Sequence, residues 1–214
     1  MAQTLSEQML DENRDVFEAM VRHRFVEDIK AGRLPSEVFE RYLVFEGAFV
    51  DTAIAIFSYA TAKAGTIAQK RWLIGVLDAL ANQQIAYFEK TFAARGIDPA
   101  RYDTAREDVA AFREGMLAIA RDGTFLDTIA AMFAAEWMYW TWSVEANRSA
   151  IHDPLLKEWV KLHAEPEFEA QARWLKALLD QAGETMRADQ RKRLSAIFGE
   201  VQRLEIAFHE AAYS

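Results

Sequence analysis

The chain has 214 residues and a mass of 24.4 kDa, a length that buries about 70% of the surface its unfolded form exposes. Lys and Arg number 25 against 33 Asp and Glu, a formal charge of −8 that lacks the clustered cations a phosphate backbone needs, so no nucleic-acid partner is expected. The absence of cysteine rules out disulfides, zinc–thiolate sites and a thiol nucleophile, and leaves any metal chemistry to His and carboxylate.

The chain opens with residues 1–17, which carry acids by Glu7 and no apolar stretch, so a secretory signal is not expected. Nine Gly and four Pro punctuate a sequence rich in Ala, Leu, Glu, Arg and Lys. This composition predicts an all-α fold without strands. Helices are predicted over 5–31, 36–64, 67–95, 99–122, 123–150, 153–182 and 187–212, about seven in one domain spanning 1–214. Gly96 reads as a left-handed helix end. Asp98 before Pro99 and Asp153 before Pro154 read as N-caps followed by a proline that fixes the first turn. Pro166 should bend or restart the helix that contains it.

Two predicted helices are apolar all the way round, which places them centrally. The first runs through 42–57. Its longest low-charge stretch, 47–62, is interrupted by Asp51 and too short to span a bilayer comfortably, so no membrane partner is expected. The second covers 129–142 and holds three Trp and a Tyr between Trp137 and Trp142, with Glu136 as its one carboxylate. Bundles of this kind house their sites between facing helices.

Isolated acids in such helices are the candidates for chemistry. Glu46 would lose hydration in a core and its pKa would rise, unless it meets a wet groove or pairs with Arg41 or Arg71. Glu136 has the same choice between function and an interhelical salt bridge, and Glu205 stands in the apolar stripe of the last helix. Asp51 reads either as part of the same lining or as an ordinary polar position. His163 lies beside the Pro166 break, where pockets form. His23 and His209 read as structural or exposed. Phe45, Phe49, Phe112, Trp137, Tyr139, Trp140, Trp142 and Tyr213 are either core or the walls of a pocket for a flat heterocycle. No GxGxxG, Walker A, HExxH, GxSxG or EF-hand pattern occurs, so nucleotide-dependent enzyme classes are not expected.

Five short stretches, in order and properly separated, carry a resemblance. They are His23-Arg24-Phe25-Val26 with Ala31-Gly32-Arg33-Leu34-Pro35, then Arg41-Tyr42-Leu43-Val44, Ala135-Glu136-Trp137-Met138-Tyr139, Trp159 through Phe168, and Glu205 through Tyr213. Along nearly its whole length the chain resembles the TenA/thiaminase II family, whose all-helical fold is akin to haem oxygenase. The resemblance implies an aminopyrimidine pocket, with Glu205 as the acid that bonds the ring and assists proton transfer and Tyr139 as its aromatic partner. It also implies departures from the pattern. The family's nucleophilic cysteine falls on Ala135, its pyrimidine-binding Asp on Gly47 beside Glu46, and three of its Tyr positions on Val50, Phe112 and His163.

The expectation is a Cys-less, TenA-like hydrolase of an amino-substituted pyrimidine or related planar heterocycle. Glu205 would be the general acid, and Glu46 or Glu136 would orient a water. Tyr139, His163, Phe112, Phe49 and Trp137 would hold the substrate, with no metal and no cofactor. Glu46, Glu136, Tyr139, His163 and Glu205 are expected to line one cavity. One alternative is a non-catalytic binder of a planar compound. Another is a metal oxidase using Glu46, Glu136, His163 and Glu205, although neither Glu46 nor Glu136 begins the Glu-x-x-His pair such sites use. A cytoplasmic homo-oligomer is expected.

Overall fold

Local capping chemistry sets most helix ends in the computed structural model, which describes residues 3–214. Among the described residues the regular structure is helical and no strand occurs. In chain order the helices are α1 (Leu5–Glu12), α2 (Arg14–Val21), α3 (Arg24–Lys30), α4 (Ser36–Lys63), α5 (Ile67–Asp78), α6 (Ile85–Arg95), α7 (Glu107–Asp122), α8 (Phe125–Ala146), α9 (Pro154–Leu162), α10 (Pro166–Gly183) and α11 (Ala188–Ala211). A π-helical segment, Ala79–Gln84, joins α5 to α6, and a 3-10 turn, Pro99–Arg101, precedes α7. Gly96 ends α6 at φ 66°, ψ 28°, a left-handed conformation glycine adopts without strain. Asp98 accepts the Ala100 N–H at 3.1 Å, and Asp153 accepts those of Leu155 and Leu156 at 2.9 and 3.1 Å, both as the sequence predicts.

The structure divides four predicted helices, among them 67–95, which the π-helical segment splits into α5 and α6. Segment 5–31 breaks at Asn13, whose side-chain amide donates to the carbonyls of Met9 and Ser195, each at 2.9 Å, and so ties the break to α11. A side-chain carbon at Gly199 would collide with the Asn13 amide oxygen, so the close approach depends on glycine there. The same segment breaks again at His23, which leaves helical geometry and whose Nδ1 accepts the Phe25 N–H at 3.2 Å. Segment 99–122 becomes the 3-10 turn and α7, separated by a turn in which Asp103 accepts the Ala105 N–H at 3.0 Å. Segment 153–182 divides at His163–Glu165, where Pro166, lacking an N–H, restarts the chain as α10.

The chain forms two compact units, one built from the chain up to Leu34 together with Ile129–His209, the other from Pro35–Thr128 together with Glu210–Ser214. In the first, Phe25, Phe133, Trp142, Trp159, Leu175 and Phe198 are fully or nearly fully buried. In the second, α4 is the central helix, packed by α5, α6 and α7 and burying Phe39, Tyr42, Phe45, Ile56 and Phe57. With 28 residues, α4 is long and apolar enough to cross a membrane by length and composition. Half of its apolar stretch is buried inside the protein. Lys63 at its end donates to the carbonyls of Ala120, Arg121 and Gly123 at 2.6, 2.9 and 2.6 Å, placing a cation at the C-terminus of α7 where the helix dipole favours it.

The start of α9 fixes where Trp159 and His163 stand. Asp153→Ala, which deletes two accepted N–H bonds, is expected to lower unfolding stability by about 1 kcal/mol. In urea titration this is a lower midpoint at unchanged slope; an unchanged midpoint would show that the cap contributes nothing.

Candidate functional site

The site residues of the first unit lie on α8, α11 and the end of α9. On α8 the small residues Ala130, Ala131 and Ala134 are buried, and Gln202 of α11 donates from Nε2 to the Ala134 carbonyl at 2.7 Å, which pins the two helices together one turn before Glu205. Tyr139 then meets α11. Its hydroxyl oxygen lies 3.5 Å from Glu205 Oε2 and 3.5 Å from His209 Nε2. Glu205 and His209, four residues apart on one helical face, are completely buried. Tyr139 and His163 keep part of their surface accessible.

Backbone bonds set the protonation of both imidazoles. His209 Nδ1 sits 2.8 Å from the Glu205 carbonyl, and His163 Nδ1 sits 2.9 Å from the Trp159 carbonyl. A nitrogen facing a carbonyl carries the hydrogen, so each neutral ring presents Nε2 as an acceptor. Burial disfavours the cation and pulls His209 down to about 3 and His163 down to about 4. Both rings are therefore neutral at pH 7. The Tyr139 ring lies 5.3 Å from that of His163 at an interplanar angle of 32°, and 5.7 Å from that of His209. Trp159 and Phe168 flank His163 at 4.7 and 4.9 Å, so the end of α9 and the start of α10 present an aromatic wall.

Glu136 stands one turn before Tyr139 on α8. Its Oε1 accepts the Gln171 amide of α10 at 2.8 Å, while its Oε2 is sealed from solvent and has no hydrogen-bond partner among the described residues. Loss of hydration pushes its pKa up to about 7, only partly opposed by the Gln171 bond. The carboxyl thus exchanges a proton near neutrality, as a general acid or base must. Trp137 packs on Phe133 and Trp140 at 5.5 and 4.9 Å. Ala135 is buried.

Tyr139, His163 and Glu205, singled out in the sequence, thus come together, with Glu136 and Trp137 on neighbouring turns of α8. Glu46, Phe49 and Phe112 belong to the second unit, where Glu46 is half-buried in α4 and the rings of Phe49 and Phe112 stack at 4.7 Å. Asp51 is exposed, an ordinary polar position. His209, read from the sequence as structural or exposed, is buried at the centre of the cluster. The signal that could have found it is its spacing of four from Glu205. His23 caps α3, and its ring lies 5.9 Å from that of His209. Among the described residues no group of three or more His, Asp or Glu side chains is gathered to hold a metal ion, so there is no ligand set to name.

Comparisons with known proteins identify the family of the chain. The chain is 26% identical over 211 residues to an aminopyrimidine aminohydrolase of Halalkalibacterium halodurans, covering 96% of this chain and 94% of that protein. It is 21% identical over 213 residues to an aminopyrimidine aminohydrolase of Helicobacter pylori, covering 98% of each. A TenA homologue from Pyrococcus furiosus superposes with a TM-score of 0.90 at 20% identity, over 98% of this chain and all of the other, which shows a common all-α, haem-oxygenase-like fold. The TENA/THI-4/PQQC family model matches residues 10–214, and the chain belongs to that family.

Proposed function

We propose that this protein hydrolyses an amino-substituted pyrimidine of the kind handled in thiamin salvage, replacing a ring amino group by oxygen from water without a cysteine nucleophile. The observation that carries this reading is the Tyr139 hydroxyl standing 3.5 Å from both the Glu205 carboxylate and the His209 imidazole, inside an aromatic-walled cluster. Two curated relatives that match nearly the whole chain and bear the name aminopyrimidine aminohydrolase support it. A formal charge of −8 and a mean hydropathy of −0.14 fit a soluble cytoplasmic protein, and a homo-oligomer is part of the proposal.

In this reading the heterocycle stacks on the accessible faces of Tyr139 and His163. Because Glu205 is sealed, its proton moves to the Tyr139 oxygen as Tyr139 gives its own to the ring nitrogen. Glu136, whose carboxyl gains or loses a proton near neutrality, removes a proton from a water that has to enter beside it with the substrate, since its Oε2 is sealed in the substrate-free protein. The water oxygen bonds to the carbon bearing the amino group, and the C=N electrons go to the newly protonated ring nitrogen. Collapse reverses the flow. The C–N bond breaks, the amine takes the proton held by Glu136 and departs as ammonia, and the hydroxyl proton returns through Tyr139 to Glu205. Both acids end as they began.

Glu205→Gln keeps the shape but removes the transferable proton. It is expected to lower turnover about 10²–10⁴-fold while ligand-induced thermal stabilisation falls only modestly. If the wild type turns over no heterocycle and the variant binds one equally well, the protein is a binder and Glu205 a structural acid.

Glu136 also makes a pH prediction. With its folded pKa near 7 and its ordinary value of 4.5, the folded protein holds, between those values, a proton that the unfolded chain has released. The stabilisation is therefore present below about 4.5 and lost as pH rises towards 7. Glu136→Gln should gain stability relative to wild type across that window in denaturant titrations; a constant difference would mean that Glu136 is not held protonated.

Thiamin cleavage through a covalent pyrimidine adduct requires a thiolate, which this chain lacks. Thiaminase assays should show negligible wild-type turnover, with some gained by Ala135→Cys. Robust wild-type cleavage would demand a different nucleophile.

A further inference from the structure

His209 has no part in the proton exchange described above, yet it is the acceptor closest to rivalling Glu205 for the Tyr139 proton. Its Nδ1 hydrogen is committed to the Glu205 carbonyl at 2.8 Å, so Nε2 offers a lone pair, 3.5 Å from the Tyr139 oxygen. Its ring is held by Phe25 at 5.2 Å and Phe208 at 6.1 Å. Nδ1 also lies 3.6 Å from Glu205 Oε2, but its one hydrogen points to the much closer backbone carbonyl of the same residue. The titratable groups facing this centre are His23 from the turn before α3, Tyr139 from α8, His163 from the end of α9 across the Tyr139 ring, and Glu205 on α11 itself. Glu136 stands one turn from Tyr139 and is engaged by Gln171 of α10.

We propose that His209 is a positioning residue that keeps Glu205 in its acid form: by accepting the Tyr139 hydroxyl proton at Nε2, it turns a phenol lone pair toward Glu205, which then has an acceptor for its own O–H. The proposal rests on the reading of Glu205 as the proton source. The loaded state is a chain from the Glu205 carboxyl to the Tyr139 oxygen and from the Tyr139 hydroxyl to His209 Nε2. When substrate arrives, its ring nitrogen replaces Nε2 as the acceptor. In the ionised state the Tyr139 proton turns to Glu205 Oε2. Without an acceptor at position 209 the phenol proton favours Glu205, which stabilises the carboxylate and lowers the pKa by about one pH unit, the size expected for redirecting one hydrogen bond.

The test is a carbon-13 carboxyl NMR titration of Glu205 in the substrate-free protein. His209→Phe should lower its pKa by about one pH unit, and His209→Gln, which restores a neutral acceptor, should bring it back most of the way. In a Tyr139→Phe background, His209→Phe should produce no further shift. Nitrogen-15 NMR of the wild type should find His209 neutral with hydrogen on Nδ1, a readout that survives if a variant fails to fold. In turnover, His209→Phe at neutral pH should lower kcat with little change in KM. A Glu205 pKa unmoved by His209→Phe, or hydrogen on Nε2 of wild-type His209, overturns the proposal. If the wild type turns over no pyrimidine, the function proposed above fails, while the titrations still decide the role of His209.

Discussion

Tyr139 carries one hydroxyl proton and faces two acceptors at equal distance, and the chemistry of the site depends on which of them receives it. Glu205 and His209 are both buried and four residues apart on α11, so neither can turn away without disrupting a packed helix face. The His209 ring is further fixed because its second nitrogen is bonded to the backbone of its own helix. What remains free to move is a proton over a short path, and that requires α8 and α11 to be held at a constant separation. The Gln202 bond to the Ala134 carbonyl and the buried alanines of α8 supply that constraint.

Burial acts on the ionisable groups in two directions, and the division follows from charge type alone. Losing water makes the cationic form of an imidazole costly, so His163 and His209 are neutral acceptors across the physiological range. The same loss makes the anionic form of Glu136 costly, and its pKa rises to where a proton is easily gained or lost near neutrality. In the function proposed, Glu136 is the carboxyl that activates water in place of a thiol, one helical turn from the phenol of Tyr139 that passes a proton. Replacing a nucleophile with an acid–base pair demands that water be oriented for the first bond-forming step, whereas a covalent route needs water only to release the adduct.

Much of the fold was legible because its signals are local. Gly96, Asp98, Asp153 and Pro166 act within three or four residues, and each does in the structure what its neighbours in sequence predict. The break at Asn13 was not legible, since it depends on Ser195, 182 positions away. The π-helical segment at Ala79–Gln84 likewise has no Gly or Pro to announce it. In the site, Tyr139, His163 and Glu205 could be marked from spacing and resemblance. His209 offered only its spacing of four from Glu205, a weak signal because an imidazole in an amphipathic helix looks the same whether it faces water or a buried phenol.

The account is tested most directly by following the fate of water. Incubating the protein with an amino-substituted pyrimidine in oxygen-18 water, with mass spectrometry of the product and an ammonia assay, should yield one oxygen-18 atom on the ring and one ammonia for each molecule consumed. A heterocycle that binds and is recovered unchanged after many hours, or a product lacking the label, would contradict it.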